Sequence, residues 1–162
     1  MKSTHRFLLN FAAVVAIAAS AVSLTSCDDY DGYYYDPVPP YGWNTNFWDS
    51  RLTGCWQLIS YNGTSITQED TNYLLFNGSG HGTYYYYMNG TRFTEGTKYY
   101  CQRAVSGATR YQMNIIYETA GASWTTVDYW FPDRDTLVMQ WRNQTGLQSY
   151  TYRYYGPQGP WR

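Results

Sequence analysis

Short apolar and aromatic segments alternate with turn signals from about residue 52 to residue 155, and this alternation constrains the fold more than any other feature. Asn62-Gly63 and Asn89-Gly90 are dipeptides typical of two-residue hairpin turns. The segments between the turns have strand length, and none shows the 3.6-residue apolar period of a long helix. The sequence predicts eight strands, over residues 52–60, 73–76, 82–88, 91–103, 110–118, 123–131, 136–142 and 147–155. Residues 65–71 are expected to form one turn of helix at most.

Strands that follow one another through tight turns pair with their neighbours in the chain, which gives an up-and-down meander. Eight such strands can close on themselves and so remove the exposed edges of the sheet. The sequence therefore predicts an all-β domain over residues 51–156, folded as an eight-stranded antiparallel up-and-down barrel, with a C-terminal tail at 157–162. A barrel of eight strands has room for its own side chains or for one small ligand.

Alternation along two of the predicted strands indicates which side chains point into the barrel. Tyr111, Met113 and Tyr117 fall on one face of the segment 110–118. Leu137 and Met139 fall on one face of the segment 136–142. These five residues are the predicted ligand contacts if the barrel has an open mouth.

Aromatic residues are unusually frequent, with 20 Tyr and 7 Trp, all of them beyond residue 26. Both residue types favour strands, and both combine an apolar body with a polar tip. Residues 84–87 are four consecutive tyrosines, so a strand there must send two rings to each face. Rings on the outside could stack on sugars or on a partner protein. A surface module for glycan or protein, built on a barrel filled by its own side chains, is therefore the alternative to a ligand carrier.

The N-terminus has the order of a secretory leader, with basic residues within 2–6, a nearly all-apolar run over 7–22 and small residues after it. The run is shorter than the roughly 20 residues of a membrane span, although an N-terminal transmembrane anchor is the alternative. Together with Leu24-Thr25-Ser26-Cys27, this order resembles a bacterial lipoprotein signal peptide with its lipobox, over residues 1–26. The resemblance implies cleavage before Cys27 and acyl chains on its thiol, which anchor the protein to a membrane.

Cys27 is followed by the acidic run Asp28-Asp29-Tyr30-Asp31. In some Gram-negative groups such a run resembles a surface-export signal, whereas in enteric bacteria an Asp at that place resembles inner-membrane retention. The first resemblance predicts anchoring at the outer membrane on its cell-surface face, with the periplasmic face as the alternative. Residues 27–50 are rich in Pro and are predicted to form a flexible tether, since their acidic cluster lacks the spacing of an EF-hand loop.

The charge of the chain bears on whether it binds nucleic acid, and its cysteine content bears on whether it can form a disulfide. Loss of Lys2 and Arg6 with the leader would leave nine basic residues against 12 acidic ones. Without a basic patch, a nucleic-acid partner is not expected. Cys55 and Cys101 remain besides Cys27, and a compartment outside the cytoplasm permits a disulfide between them. Two buried free thiols are the alternative.

Residues suited to catalysis are sparse. His81 is the only His beyond the leader, so no metal site and no cofactor is predicted, and no Ser lies in a Gly-x-Ser-x-Gly motif. Glu95, Glu118 and Asp128 lie in or near predicted strands, and glycoside hydrolysis uses two carboxyls about 5–10 Å apart. Outward, solvated positions are expected instead, since Glu118 and Asp128 fall on the faces opposite the apolar runs. We therefore predict a protein that is not an enzyme.

One motif adds a family resemblance. Leu52 precedes Gly54-Cys55-Trp56 at the start of the first strand, the eight-strand meander follows, and Arg153 lies in the last strand. In this the chain resembles lipocalin-like proteins of the calycin group, and small bacterial lipocalin-like lipoproteins in particular. The resemblance implies that Trp56 closes one end of the barrel and that Arg153 packs over its ring as a cation–π contact. It also implies binding of a small apolar or amphipathic ligand in the barrel mouth.

Overall fold

The computed structural model describes residues 47–67, 71–103, 107–119 and 122–161. The predicted signal peptide, Cys27 and residues 28–46 of the predicted tether lie outside this part of the chain. A short 3₁₀ helix at Ser50–Leu52 precedes the sheet. The strands are β1 Gly54–Tyr61, β2 Thr64–Ser65, β3 Tyr73–Phe76, β4 His81–Met88, β5 Thr91–Cys101, β6 Tyr111–Tyr117, β7 Thr125–Asp133, β8 Thr136–Asn143 and β9 Gly146–Gly156.

The strands form a closed antiparallel barrel. From β3 to β9 each strand pairs with the next one in the chain, β1 pairs with β3, and β9 returns to pair with β1. Because β2 only extends β1 as a small hairpin, the barrel itself has eight strands. The predicted all-β, up-and-down barrel is therefore confirmed. In the described residues, no helix has both the length and the apolar character that crossing a membrane requires.

Two of the predicted hairpin turns have the backbone that their sequences favour. Asn62 and Gly63 have φ values of 47° and 79°, and Asn89 and Gly90 have 52° and 76°. Two successive positive φ values define the turn that matches the twist of paired strands, and Asn and Gly adopt them at least cost. These dipeptides therefore fix the start of the second arm of each hairpin.

Inward side chains fill the middle of the barrel. Residues that face each other across strand pairs share a face, so the register identifies the inner one. Its fully or almost fully buried members are Trp56, Leu58, Leu74, Phe76, Tyr99, Met113, Ile115, Val127, Tyr129, Leu137 and Met139. Full burial of a large apolar side chain contributes about 1.5–3 kcal/mol, so this core is the main source of stability.

The segment from Phe47 to Thr53 closes the barrel at the end where β1 begins, which we call the closed end. Trp56 Nε1 donates a hydrogen bond to the Leu52 carbonyl over 2.6 Å, and Leu52 is fully buried. Cys101 N donates to the Phe47 carbonyl over 3.0 Å. The prediction that Leu52 extends the first strand is wrong, because the 3₁₀ turn directs its carbonyl onto the indole. Residues 47–50, which belong to the segment predicted to be tether, therefore pack against the barrel.

An ion pair fixes this closing segment. Asp49 accepts hydrogen bonds from Arg51 N at 3.1 Å and from Tyr129 Oη at 2.9 Å, and its Oδ2 lies 2.6 Å from Arg51 Nη2. The Arg51 guanidinium lies 4.2 Å from the Tyr111 ring centroid and 4.9 Å from that of Phe131. Burial acts to raise the pKa of Asp49, but the hydrogen bonds from Arg51 and Tyr129 lower this pKa below its ordinary value. Asp49 therefore stays ionised and holds Arg51 over two rings.

The prediction that Arg153 packs over Trp56 is wrong. Arg153 pairs with Gln57 of β1, so its exposed side chain lies on the outer face, opposite to Trp56. The Trp56 ring instead meets the rings of Tyr154, at 5.3 Å, and Phe131, at 5.8 Å. The alternation of β9 explains the correction, since Tyr154 is the residue that faces inward next to Arg153.

Of the two possibilities for Cys55 and Cys101, a disulfide or two buried free thiols, the structure has the free thiols. Cys55 points to the outer face, where it packs with Tyr73 and Tyr85. Cys101 points inward, paired in register with Met113. Burial raises the pKa of Cys55 to about 12 and also raises that of Cys101. With their side chains on opposite faces of the sheet, the two thiols are not placed to bond.

The C-terminal tail covers part of the outer face. Trp161 makes edge contacts with Tyr73 at 5.7 Å, Tyr85 at 5.4 Å and Tyr87 at 5.1 Å. We call these three tyrosines the outer aromatic row. Arg92 lies 5.2 Å from the Trp161 ring centroid. The tail thus shields rings that the alternation of β3 and β4 directs outward.

Candidate functional site

The candidate site lies at the end opposite the closed end, where the β4–β5 and β8–β9 hairpins turn. The register of the strands directs a set of mainly aromatic side chains inward there. We call this set the aromatic mouth; it consists of Tyr61, Tyr86, Phe93, Glu95, Tyr117, Trp141 and Tyr150. All of them are half-buried except Tyr150, which is buried.

One wall of the mouth is a stack of rings on β4 and β5. Tyr84 and Tyr86 stack at a centroid distance of 5.1 Å and an interplanar angle of 19°. Tyr86 in turn stacks on Phe93 at 5.4 Å and 17°. The pairing of Tyr86 with Phe93 and of Tyr84 with Glu95 places the four side chains on the inner face. This wall is aromatic, with one carboxylate beside it.

The facing wall comes from β1, β8 and β9. Trp141 and Tyr150 lie parallel, 4.2 Å apart at 3°, and Tyr61 meets Tyr150 at 4.8 Å. A bulge between Leu58 and Ser60 shifts the register of β1, and this shift turns Tyr61 inward. Tyr61 Oη donates a hydrogen bond to Gln148 Oε1, which holds the ring in this position.

Four phenols lie at the inner end of the mouth, on Tyr84, Tyr117, Tyr150 and Tyr152. Burial raises the pKa of each; neighbouring phenols raise the pKa values of Tyr84, Tyr150 and Tyr152 further, and the charge of Glu95 raises that of Tyr117. Tyr84 and Tyr117 also make an edge contact at 5.4 Å. These phenols therefore stay neutral at all ordinary pH values and offer hydroxyl groups inside an apolar frame. They form a polar floor beneath aromatic walls.

Glu95 is the acidic member of the mouth. Burial raises its pKa above the ordinary value, and its negative charge helps to raise the pKa values of Tyr86 and Tyr117. Thr119 Oγ1 donates a hydrogen bond to Glu95 Oε1. The carboxylate therefore lies among rings, held by one hydroxyl.

The predicted ligand contacts are spread along the barrel rather than gathered at the mouth. Tyr111 lies at the closed end beneath Arg51. Met113, Leu137 and Met139 are buried in the middle of the barrel. Of the five, Tyr117 lies in the mouth.

Sequence reasoning missed the other residues of the mouth, although part of the signal was there. The alternation that selects Met139 also selects Trp141, and the rule of two rings to each face applies to Tyr86. The inward position of Tyr61 could not be predicted in this way, because the residue pattern of the first strand does not indicate the bulge that turns Tyr61 inward.

The three candidate acids do not share a site. Glu95 faces inward, whereas Glu118 is exposed beside Lys98, with 3.9 Å between Oε1 and Nζ. Asp128 accepts a hydrogen bond from Gln112 Nε2 on the outer face, at 2.8 Å. The outward placement predicted for Glu118 and Asp128 is confirmed. Within the described ranges, His, Cys, Asp and Glu form no group of three that could hold a metal ion.

A surface cleft lies near the closed end. Its volume is about 300 Å³, and it is lined by Gln102, Arg103, Ala108, Arg110, Tyr111, Gln112 and Asp128. Arg110 lies 4.3 Å from the ring centroid of Trp130, which points outward. Five of its seven lining residues have amide or charged side chains.

Comparison with known proteins does not assign the chain to a family. No protein-family model matches the chain, and no curated protein matches it. The resemblance to lipocalin-like lipoproteins therefore remains an expectation from sequence.

Proposed function

We propose that this protein is a non-catalytic binding protein that takes one small amphipathic molecule into the aromatic mouth. One observation carries the proposal: the closed end is sealed by residues 47–53, while the opposite end places aromatic walls around buried phenols. Concave sites with apolar walls and a few polar groups are the usual form of small-molecule sites.

The depth of the site follows from the packing of the barrel. Met113, Leu137 and Met139 fill the middle, so a ligand would enter only the outer part and rest on the phenols. Its apolar portion would lie between the Tyr86–Phe93 stack and the Trp141–Tyr150 pair. The polar portion of the ligand would meet the tyrosine hydroxyl groups, because a polar group of a ligand that is buried in the site needs a hydrogen-bond partner.

We further propose that acyl chains on Cys27 anchor the protein in the outer membrane at the cell surface. The support is the run Leu24-Thr25-Ser26-Cys27 after a leader-like segment, and the acidic residues that follow it. Mass spectrometry of the protein purified from membranes tests this step. An intact residue 1–26 segment, or an unmodified Cys27, would contradict it.

Binding is tested by titrating the soluble part of the chain, residues 28–162, with the neutral fluorophore N-phenyl-1-naphthylamine. We expect saturable enhancement of its fluorescence. Tyr86→Ser should weaken binding about fivefold, because it removes the central ring of the stack. Tyr87→Ser is the matched control, since the same residue type one position along points to the outer face. Unsaturable binding, or equal loss in both variants, would overturn the proposal.

A second candidate function is a surface module for glycan or protein. The cleft near the closed end favours it, because Arg110, Gln112 and Asp128 line the cleft. Arg110 also lies over the outward ring of Trp130, and Gln112 donates a hydrogen bond to Asp128, so a ring and polar groups lie close together. The outer aromatic row is less suited to this role, because Trp161 covers it. Binding of soluble glycans that Trp130→Ser abolishes and Tyr86→Ser leaves unchanged would select this second function.

A further inference from the structure

We propose that the molecule bound in the aromatic mouth carries a cationic nitrogen, an ammonium or quaternary ammonium group, that sits against the Glu95 carboxylate. This inference rests on the proposed binding function and adds the chemical class of the ligand. It is carried by the position of one acid among the rings of the mouth.

The position of Glu95 is fixed by the sheet. Glu95 pairs with the inward Tyr84 on β4, and Phe93, two residues earlier on β5, faces inward with it. Tyr117 stands on the other side, on β6, close enough for the carboxylate to raise its pKa. A carboxylate on the inner face, with rings on both neighbouring strands, meets the geometry of a site for an organic cation.

The rings add to this preference. The face of an aromatic ring attracts a cation, and a desolvated cation gains more from it than an exposed one. Tyr86, stacked on both Tyr84 and Phe93, belongs to a set of aromatic rings next to Glu95. An anionic head would meet the same ring faces and a like charge, so the mouth should reject it.

No basic side chain of the described ranges balances the charge of Glu95. Lys98 lies on the outer face with Glu118, and Arg92 lies outside over Tyr87 and Trp161. Arg142, at the same end of the barrel, is exposed on the outer face of β8. The hydrogen bond from Thr119 partly satisfies the carboxylate but supplies no positive charge. A ligand cation would supply that charge.

The pH dependence of binding follows from the groups around Glu95. Those that face it are the phenols of Tyr84 and Tyr86 from β4 and of Tyr117 from β6, together with the Thr119 hydroxyl. Burial raises the pKa values of these phenols above 10, so they are already neutral at pH 8 and remain neutral at lower pH. Glu95 is therefore the group that changes charge. Binding of a cation should therefore weaken as the pH falls through the raised pKa of Glu95, and binding of a neutral molecule should not.

The test compares three probes with the same tail: octyltrimethylammonium, octanol and octanoate, each displacing N-phenyl-1-naphthylamine from residues 28–162. We expect octyltrimethylammonium to bind about tenfold more tightly than octanol, and octanoate more weakly than both. Glu95→Gln should remove the advantage of the cation and leave octanol within about twofold. Glu118→Gln is the matched control, because it neutralises an acid on the outer face.

Equal affinity for cation and neutral probe in the native protein, or an advantage that survives Glu95→Gln, would overturn this inference. If N-phenyl-1-naphthylamine still bound in a way that depends on Tyr86, the proposed binding function would stand without the preference for a cation. If the native protein bound none of the probes, the proposed function and this inference would both be overturned. If Glu95→Gln fails to fold, the native protein decides the matter. Octyltrimethylammonium affinity should fall as the pH is lowered from 8 to 4.5, the ordinary pKa of a glutamate, while octanol affinity stays level, and level affinity for both would again overturn the inference.

Discussion

Trp56 and Leu52 lie four residues apart and are joined by a hydrogen bond of 2.6 Å from the indole Nε1 to the backbone carbonyl. The bond links the first strand to the 3₁₀ turn that closes the barrel. Both residues are buried, so neither group can exchange its partner for water. The relationship explains why a tryptophan, with its single donor at the far edge of a large ring, suits this position.

Trp56→Phe should therefore destabilise the fold by about 2–3 kcal/mol, because it removes ring volume and leaves a buried carbonyl without its donor. Urea denaturation followed by circular dichroism measures the change. Trp130→Phe serves as the control, since Trp130 is half-buried on the outer face. A loss below about 0.5 kcal/mol in Trp56→Phe would contradict the role assigned to this bond.

Asp49 should make the closed end sensitive to acid. Its pKa is lowered in the fold, so the ionised carboxylate contributes stability above its ordinary value of 3.8, and this contribution disappears as the pH falls through the lowered pKa. Asp49→Asn should cost about 2 kcal/mol at pH 7, where it loses charged hydrogen bonds to Arg51 and Tyr129. The difference between native protein and variant should shrink steadily below pH 4. A difference that is constant from pH 7 to pH 2.5 would show that Asp49 acts only by packing.

The two cysteines should behave as protected thiols. In residues 28–162, native Cys55 and Cys101 should resist iodoacetamide at pH 8, because burial raises both pKa values and only the thiolate reacts. Both should be modified after unfolding in urea, as counted by mass spectrometry. A reducing agent should leave the melting temperature unchanged. A shift of two mass units on reduction would instead reveal a disulfide.

The tail should contribute to stability through Trp161. Trp161→Ala should lower the unfolding free energy by about 1–2 kcal/mol, because it uncovers Tyr73, Tyr85 and Tyr87. Gly159→Ala should act on the same contact, since an added Cβ would lie 2.2 Å from Tyr85 Oη and would displace the tail. The double variant should be little worse than either single one. Additive losses would show that the two positions act independently.

The order of the strands followed from the sequence because turn chemistry is local. Asn62-Gly63 and Asn89-Gly90 favour one backbone shape whatever surrounds them, so the hairpins could be placed without knowledge of the tertiary structure. The closed barrel then followed from the number of sequential hairpins. The extra pair of residues in β2 did not change that outcome.

The candidate site was less accessible to sequence reasoning because it depends on register and on contacts distant in the chain. The face of Tyr61 is set by a bulge, and the environment of Glu95 is set by Tyr117 and Thr119 across the sheet. Arg51 rather than Arg153 covers aromatic rings at the closed end, since a one-residue difference in alternation moves a side chain to the other face.

The pairing of β1 with β9 has a consequence for how the chain folds. The first and last strands of the barrel meet only through residues far apart in sequence, such as Leu58 and Tyr152. Until Gly146–Gly156 has been synthesised, the nascent sheet keeps two unpaired edges and an open apolar interior. Closure must therefore be a late, slow event governed by long-range contacts, and a chain terminated before β9 should aggregate rather than fold.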